Sequence, residues 1–490
     1  MPRSIEAWSG PVGSGPVRRK SLRVLASLVA GGVIAGSWVR LRWSKASPAK
    51  GPDQVSRLQF PRAAATALAV VVLGIVLMAR VREYTLSDPQ LALLTSQALW
   101  ERHSLNLRPE LDALGPRRFA KDSWKYAVGP TGEVRYIYPL GTSLLALPVV
   151  AVGRTLGHDL ARWDTDRRYQ IGLAALSCAA VFALLANIGW LVTRSREALL
   201  FGFAATLGSS LMSTLGSALW SFDFELVFAL LGIRELALAD SEPRLPLRAF
   251  RLGIFLAVAW VCRPSILSLT IPLAVFLLAH GWRMLARFVS GTLLIVVPFL
   301  WLCRILTGSY FTSYYAMGRW AQSASLSTWP LNLEGILVSP ARGLFVFTPC
   351  LLLGVLAIAL PSVRRRPLAR LLAAWAALTI AMVATQGNWW GGWSFGPRLL
   401  TEAVPGLALL GFLGWNSIRA TGRRRCRLGV MASLGWGIFV HTYMGLFAPA
   451  AYYWNDWPNI DERPEFYRRI WRFPQFFATG ARNAAKADAR

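Results

Sequence analysis

The sequence predicts an all-α polytopic membrane protein with about 11 transmembrane helices. Three observations carry that expectation. Only 16% of the residues are charged, where a soluble chain of this size carries about 25%. Apolar residues make up 54% of the chain, and stretches of about 18 or more recur, each long enough to cross roughly 30 Å of hydrocarbon. The net charge of +28 comes largely from arginines set between those stretches. That placement suits membrane orientation and contact with anionic lipid headgroups. No zinc-finger, RNA-binding or helix-turn-helix pattern accompanies the charge, so no nucleic-acid partner is expected.

The elements follow in order. Residues 1–60 form a basic extension rich in Gly, Ser and Pro, with a glycine-broken apolar stretch from Leu22 to Val39. Arg18-Arg19-Lys20-Ser21 in front of it resembles a secretory or twin-arginine signal, but no A-x-A cleavage site follows. An uncleaved anchor, an interfacial helix and an upstream extension all stay open. Residues 61–447 form the multi-span domain. Its first span runs from about Ala63 to Ala79, and others are expected near 169–193, 198–216, 222–239, 250–281, 288–306, 343–361, 368–385, 398–416 and 428–447. The 250–281 stretch is too long for one upright crossing. Arg263-Pro264 at its middle predicts two short helices meeting at a polar break, because proline interrupts a helix and an arginine is costly in hydrocarbon. Residues 448–490 read as a polar, aromatic tail.

Arginine clusters predict the sides. Arg194/Arg196, Arg244/Arg248/Arg251, Arg283/Arg287, Arg364-Arg365-Arg366 and Arg423-Arg424-Arg425 lie in short connections, which the positive-inside rule assigns to the cytoplasm. Alternation then places 307–342, 387–397 and the tail outside. Leu140–Gly157 would break that parity as a span, and Gly141, Pro148 and Gly153 make it a poor one. Residues 80–168 are therefore read as one large external region with helices lying at the membrane surface.

Several external segments hold residues suited to chemistry. Asp88, in Ser87-Asp88-Pro89, sits at the start of a helical run from Leu91 to Arg102. It is either a helix-opening residue before a first-position proline or a carboxylate presented at the bilayer surface. In Arg135-Tyr136-Ile137-Tyr138-Pro139 the tyrosines suit an interfacial anchor, or Arg135 and Tyr138 line a headgroup or phosphate pocket. The turn Gln386-Gly387-Asn388-Trp389-Trp390-Gly391-Gly392-Trp393-Ser394-Phe395-Gly396-Pro397-Arg398 is the least ordinary. Glycines between tryptophans favour a shaped pocket over an aromatic belt. The faces of Trp390 and Trp393 suit a sugar ring or an isoprenoid chain, and the Arg398 guanidinium suits a phosphate. Arg342, in Ser339-Pro340-Ala341-Arg342-Gly343-Leu344-Phe345, stands at the mouth of another span.

Cys178, Cys262, Cys303, Cys350 and Cys426 form no CxxC pair and read as membrane-core residues. His103, His158, His280 and His441 are too scattered for a metal site. A divalent cation is compatible with the chemistry below, although no carboxylate cluster marks a place for one.

Five of these segments together resemble the GT-C superfamily, membrane glycosyltransferases that use polyprenyl-phosphate sugars and include protein O-mannosyltransferases and aminoarabinose transferases. They are Ser87-Asp88-Pro89 after the first span, Tyr138 to Leu145, Gly216 to Trp220, Pro340 to Phe345, and Trp389 to Arg398. The resemblance covers most of the chain from about residue 62. It implies transfer of a sugar from a polyprenyl-phosphate donor to a glycan, lipid or protein acceptor at the external face of a bacterial inner membrane. It implies Asp88 as the catalytic base, with Arg398, Arg135 and Arg342 as candidates for holding the donor phosphate. Two departures stand out. Pro89 follows Asp88 where many relatives have a second acid, and Ser221-Phe222-Asp223 replaces a histidine after the Leu-Trp pair, which leaves Asp223 or Glu225 to compensate. Two other classes stay open: a lipid-linked-sugar transporter or flippase, which would favour charged spans and repeated halves, and a non-catalytic glycolipid-binding scaffold.

Overall fold

A computed structural model describes residues 52–80, 88–113, 126–129, 131–239, 245–311, 326–391, 394–420 and 424–448. The described chain is helical apart from one small hairpin. Helix α1 (Pro52–Met78) is followed by a 3-10 turn (Asp88–Leu91), α2 (Ala92–Arg102), α3 (Arg108–Ala113) and the antiparallel strands β1 (Tyr126–Val128) and β2 (Val134–Tyr136). Then come α4 (Gly141–Thr155), α5 (Trp163–Thr193), α6 (Glu197–Leu207), α7 (Ser210–Ser213), α8 (Ser221–Ala239), α9 (Leu245–Cys262), α10 (Leu267–Ala279) and α11 (Trp282–Thr307). The last third holds α12 (Trp329–Val338), short helical pieces over 344–364, α13 (Pro367–Ala384), a 3-10 turn (Arg398–Ala403), α14 (Val404–Ala420) and α15 (Arg424–Ile438), which runs into a π-helical turn (Phe439–Phe447).

Among the described residues, five helical segments are long and apolar enough to cross a membrane: Trp163–Thr193, Trp282–Thr307, Pro367–Ala384, Arg398–Arg419 and Arg424–Phe447. A sixth results if α6 and the Ser210–Ser217 segment, bent by 57°, count as one. The chain is thus an all-α protein with membrane-spanning potential. Of the other expected spans, those near Ala63–Ala79 and 222–239 fall on the unbroken helices α1 and α8, whereas the runs near 198–216, 250–281 and 343–361 are interrupted. The 343–361 run is split into Leu344–Phe347, Pro349–Leu351 and Leu352–Ala357, because Pro349 has no N–H to continue the first helix. The 250–281 run does break at Arg263-Pro264, where the 3-10 turn Pro264–Ile266 separates α9 from α10. Residues 1–51, with the Leu22–Val39 stretch, and the tail from 449 lie outside the described residues.

Close packing sets the helix layout. α5 touches α1, α6 and α8, and α9 lies along α11. A Cβ on Gly253 would sit 2.0 Å from the Phe288 carbonyl oxygen, and one on Gly291 would sit 2.1 Å from that of Phe250. The two glycines thus let the backbones of α9 and α11 meet, as small residues do where apolar helices have only packing to hold them. Gly253→Leu or Gly291→Leu is expected to lower stability by about 1–3 kcal/mol or more through overpacking. A thermal-unfolding series in detergent reads this.

The segment expected at the membrane surface, α4, is 15 residues long, or roughly 22 Å at helical rise, short of a full crossing. It packs on α2 through Ala146 and Val150, both buried, while Val149 and Val152 stay exposed. Ser96 Oγ donates to the Ser143 carbonyl at 2.7 Å, and Arg154 pairs with Glu101 at 2.5 Å. Gln97 donates to Asp159 at 2.9 Å and accepts from the Leu160 N–H at 2.7 Å. These bonds fix α2, and with it the turn that begins at Asp88.

At the far end of the chain His441 is fully buried within the π-helical turn. Its ring nitrogens lie 2.8 Å from Ser213 Oγ and 2.8 Å from Thr348 Oγ1. A neutral imidazole donates through one nitrogen and accepts through the other, so His441 joins three elements. The histidine carries no motif in the sequence, and the wide π turn that presents it is a tertiary feature.

Candidate functional site

The site forms where Asp88, Tyr138 and Arg398 converge, residues drawn from the two ends of the described chain. Asp88 opens the 3-10 turn ahead of α2, as its helix-opening reading expects, and Pro89 is buried beneath it. That reading and exposure coexist, since the Asp88 side chain retains 23% of its surface. The Tyr136 hydroxyl donates to the Asp88 backbone carbonyl at 2.6 Å. Gln170 Nε2 on α5 donates to the Pro89 carbonyl at 2.9 Å, and its Oε1 accepts from the Leu219 N–H at 3.0 Å. Gln170 therefore bolts the Asp88 turn to the Leu219-Trp220 segment. It lies where the polar first turns of α5 give way to its apolar run, with no motif around it, and nothing in the sequence marks it.

Arg398 Nη1 approaches Asp88 Oδ2 at 3.3 Å, across 310 residues of sequence. Its other terminal nitrogen donates to the Gly391 carbonyl at 2.6 Å, and its guanidinium carbon lies 4.4 Å over the Trp220 ring. The planar cation is thus stacked on an aromatic face and aimed by a carbonyl. Trp220 itself is 1% exposed and is held by its indole N–H to Ser217 Oγ at 3.2 Å. The Trp220 N–H donates to Asp223 Oδ2 at 2.8 Å. Asp223 is the third residue of α8, so its carboxylate closes the start of that helix in the manner of a capping box. The acid that replaces the expected histidine motif is therefore engaged with backbone.

Tyr138 donates its hydroxyl to the Asp88 carboxylate. Burial above all, and then the Asp88 charge, hold its phenol well above the ordinary tyrosine range, with Arg398 opposing. Tyr138 therefore stays protonated and remains a donor at any physiological pH. Its ring lies 5.4 Å from that of Tyr136, so both tyrosines serve the Asp88 turn rather than acting only as anchors.

The turn that delivers Arg398 is shaped by glycines and clamped from inside. Gly391 and Gly396 have φ of +78° and +68°, values that side chains with a Cβ rarely adopt. Trp389 is 2% exposed and packs against α12, where a Cβ on Gly335 would fall 2.6 Å from its ring. Trp390, half-buried, stands edge-on to Trp389 at 6.1 Å. Trp393 lies outside the described residues.

Arg342 is engaged with the glycine–tryptophan turn. It is 1% exposed, and its Nη1 donates to the carbonyls of Ser394 and, at 3.1 Å, Gly396. An arginine bonded to two carbonyls of this turn acts as a structural clamp on it. Arg342→Lys is expected to cost roughly 1.5–3 kcal/mol of stability, because an ammonium cannot reproduce the fork. Thermal unfolding measures the loss. Arg135 lies on β2 and pairs with Glu133 at 2.5 Å, with Thr307 O at a long 3.5 Å. Its pairing sets the hairpin, and the contacts to Asp88 are made by Tyr136 and Tyr138 from the same segment.

Among the described residues no group of three or more His, Cys, Asp or Glu side chains could hold a metal ion. The arrangement offers instead a partly exposed carboxylate, a stacked guanidinium and a phenol donor within one hydrogen-bonded set. No protein-family model and no curated protein matches the chain.

Proposed function

We propose that the chain is a multi-span membrane glycosyltransferase of the GT-C type, with about 11 crossings, that moves a sugar from a polyprenyl-phosphate donor to an acceptor at the external face of the membrane. The observation that carries this reading is the Asp88–Arg398 contact at 3.3 Å, formed between a loop after the first apolar helix and the end of the glycine–tryptophan turn. In this reading the isoprenoid lies among the helices and the donor phosphate takes Arg398. Phosphate binding takes up the positive charge of Arg398 in place and so loosens its pairing with Asp88, leaving the carboxylate to act as a base. The acceptor hydroxyl or amine gives its proton to Asp88 and bonds to the anomeric carbon. The bond from that carbon to the phosphate oxygen breaks with inversion. Charge grows on the departing phosphate, so a fixed guanidinium stabilises the transition state more than the ground state. Asp88 needs only to be ionised near neutral pH. Trp390 and Trp393 supply aromatic faces for the sugar or the lipid.

Deletion of the gene followed by profiling of lipid-linked sugars and envelope glycans tests the reading. The expected result is accumulation of one polyprenyl-phosphate sugar and loss of its sugar from a glycan, lipid or protein, both restored by the wild-type chain. An unchanged profile would sink the proposal. Donor trapped on the cytoplasmic leaflet would point to a flippase, and donor binding without transfer to a scaffold.

A further inference from the structure

Behind Arg398, the same 3-10 turn ends on a second acid that the proposed transfer does not use. Glu402 is 1% exposed. Its Oε1 accepts from Arg263 Nε at 2.5 Å and from the Ser265 hydroxyl, while its Oε2 has no hydrogen-bond partner. Arg263, at the break between α9 and α10, also donates to Ser221 Oγ at 3.1 Å and lies 3.8 Å over the Phe222 ring. Glu225, on the first turns of α8, is fully buried, and neither of its carboxyl oxygens has a hydrogen-bond partner. α8 packs on the 3-10 turn, and Glu225 interacts electrostatically with both Glu402 and Arg263.

The charges do not balance as drawn. Two carboxylates face one guanidinium, and the surrounding titratable groups among the described residues offer no further cation. Asp223 on α8 is a further carboxylate with one oxygen on the Trp220 N–H, Cys262 on α9 brings no positive charge, and Arg398 on the 3-10 turn is engaged with Asp88 and Gly391. An unbalanced charge is costly in an apolar helix bundle, and the three oxygens of Glu225 and Glu402 without donors add to the cost. A proton removes both defects at once. It makes the triad neutral and turns one acceptor into an O–H donor.

We propose that Glu225 and Glu402 form a buried proton-binding site, in which one exchangeable proton shared by the two carboxyls balances Arg263. The proton belongs to the pair rather than to either residue. The site stands apart from the transfer chemistry and holds whether or not Asp88 acts on a sugar. A metal cation is the competing ligand, but the pocket gathers only two carboxylates, and no larger acidic group exists among the described residues. The proton also sits at the root of the turn that presents Arg398. Its loss would set a second negative charge in competition with Glu402 for Arg263.

Infrared spectroscopy on the full chain in lipid nanodiscs, grown with ¹³C-carboxyl glutamate, tests this. At neutral pH the wild type is expected to show a protonated-acid carbonyl band that shifts with the glutamate label and with exchange into D₂O. Glu225→Gln and Glu402→Gln should each abolish that band, because either change leaves one carboxylate to balance Arg263 without a proton. Absence of the band from the wild type overturns the proposal, and this arm needs no variant to fold. Survival of the band in Glu402→Gln also overturns it, since burial alone would then protonate Glu225. Thermal stabilisation of the wild type by sodium, potassium or magnesium that Glu225→Gln abolishes would likewise overturn it in favour of a metal cation.

Discussion

Asp88→Asn should abolish sugar transfer while leaving a folded protein. Loss of a positioned general base costs about 10²–10⁴-fold in rate, which in a complementation assay reads as failure to restore the missing sugar. The substitution keeps the size of the side chain and its place at the head of α2. The bonds that hold the turn run to backbone atoms, from Tyr136 to the Asp88 carbonyl and from Gln170 to the Pro89 carbonyl, and these survive. Without the Asp88 carboxylate the largely buried Arg398 is still held by the Gly391 carbonyl and the Trp220 ring, which limits the loss of stability. The variant should therefore still bind the donor, and native mass spectrometry of the detergent-solubilised protein would show the lipid retained. Unimpaired transfer by Asp88→Asn would remove Asp88 from the chemistry. Tyr138→Phe is the milder companion. It deletes a donor to the carboxylate but no charge, and a fall of about tenfold or less is expected.

The sequence makes some of this legible and hides the rest for physical reasons. Membrane class follows from composition and apolar run length, which do not depend on how the helices pack. Asp88 and Arg398 are legible because a charged residue at the edge of an apolar run needs a reason to be there. Their meeting is not legible, since it depends on the packing of elements 310 residues apart. Arg135, Arg342 and Arg398 read alike as arginines at helix mouths. Only the fold shows that one sets a hairpin, one clamps carbonyls and one faces Asp88. Gln170 and Glu402 escape notice because each lies within or beside an apolar run. The 343–361 run reads as one span because hydropathy registers side chains and is blind to a backbone broken at Pro349. The break at Arg263-Pro264 is read correctly because proline and charge coincide there, but the partner of Arg263, Glu402, is hidden in a different apolar run.

Arg398→Lys and Arg398→Ala should both lower transfer by about 10²–10³-fold, the scale for losing one fixed donor to a developing negative charge. The lysine variant is the more informative. It keeps a positive charge at the site but loses three things the arginine has together. These are the bond to the Gly391 carbonyl at 2.6 Å, the stacking on Trp220 at 4.4 Å and the approach to Asp88 at 3.3 Å. Charge alone would let lysine rescue most of the activity, whereas a preorganised planar cation would not be replaced. The failure should also differ in kind from that of Asp88→Asn. Arg398 touches the donor phosphate in the proposed complex, so its loss should weaken donor retention as well as rate, while Asp88→Asn spares retention. The double variant separates the two roles further. Residues acting in one step give a combined loss smaller than the product of the single losses, and Asp88→Asn with Arg398→Lys should transfer no more slowly than Asp88→Asn by more than about tenfold. Fully multiplicative losses would mean that the pair observed at 3.3 Å does not act as a unit, and Arg398 would then be a structural partner of Trp220 and the glycine turn.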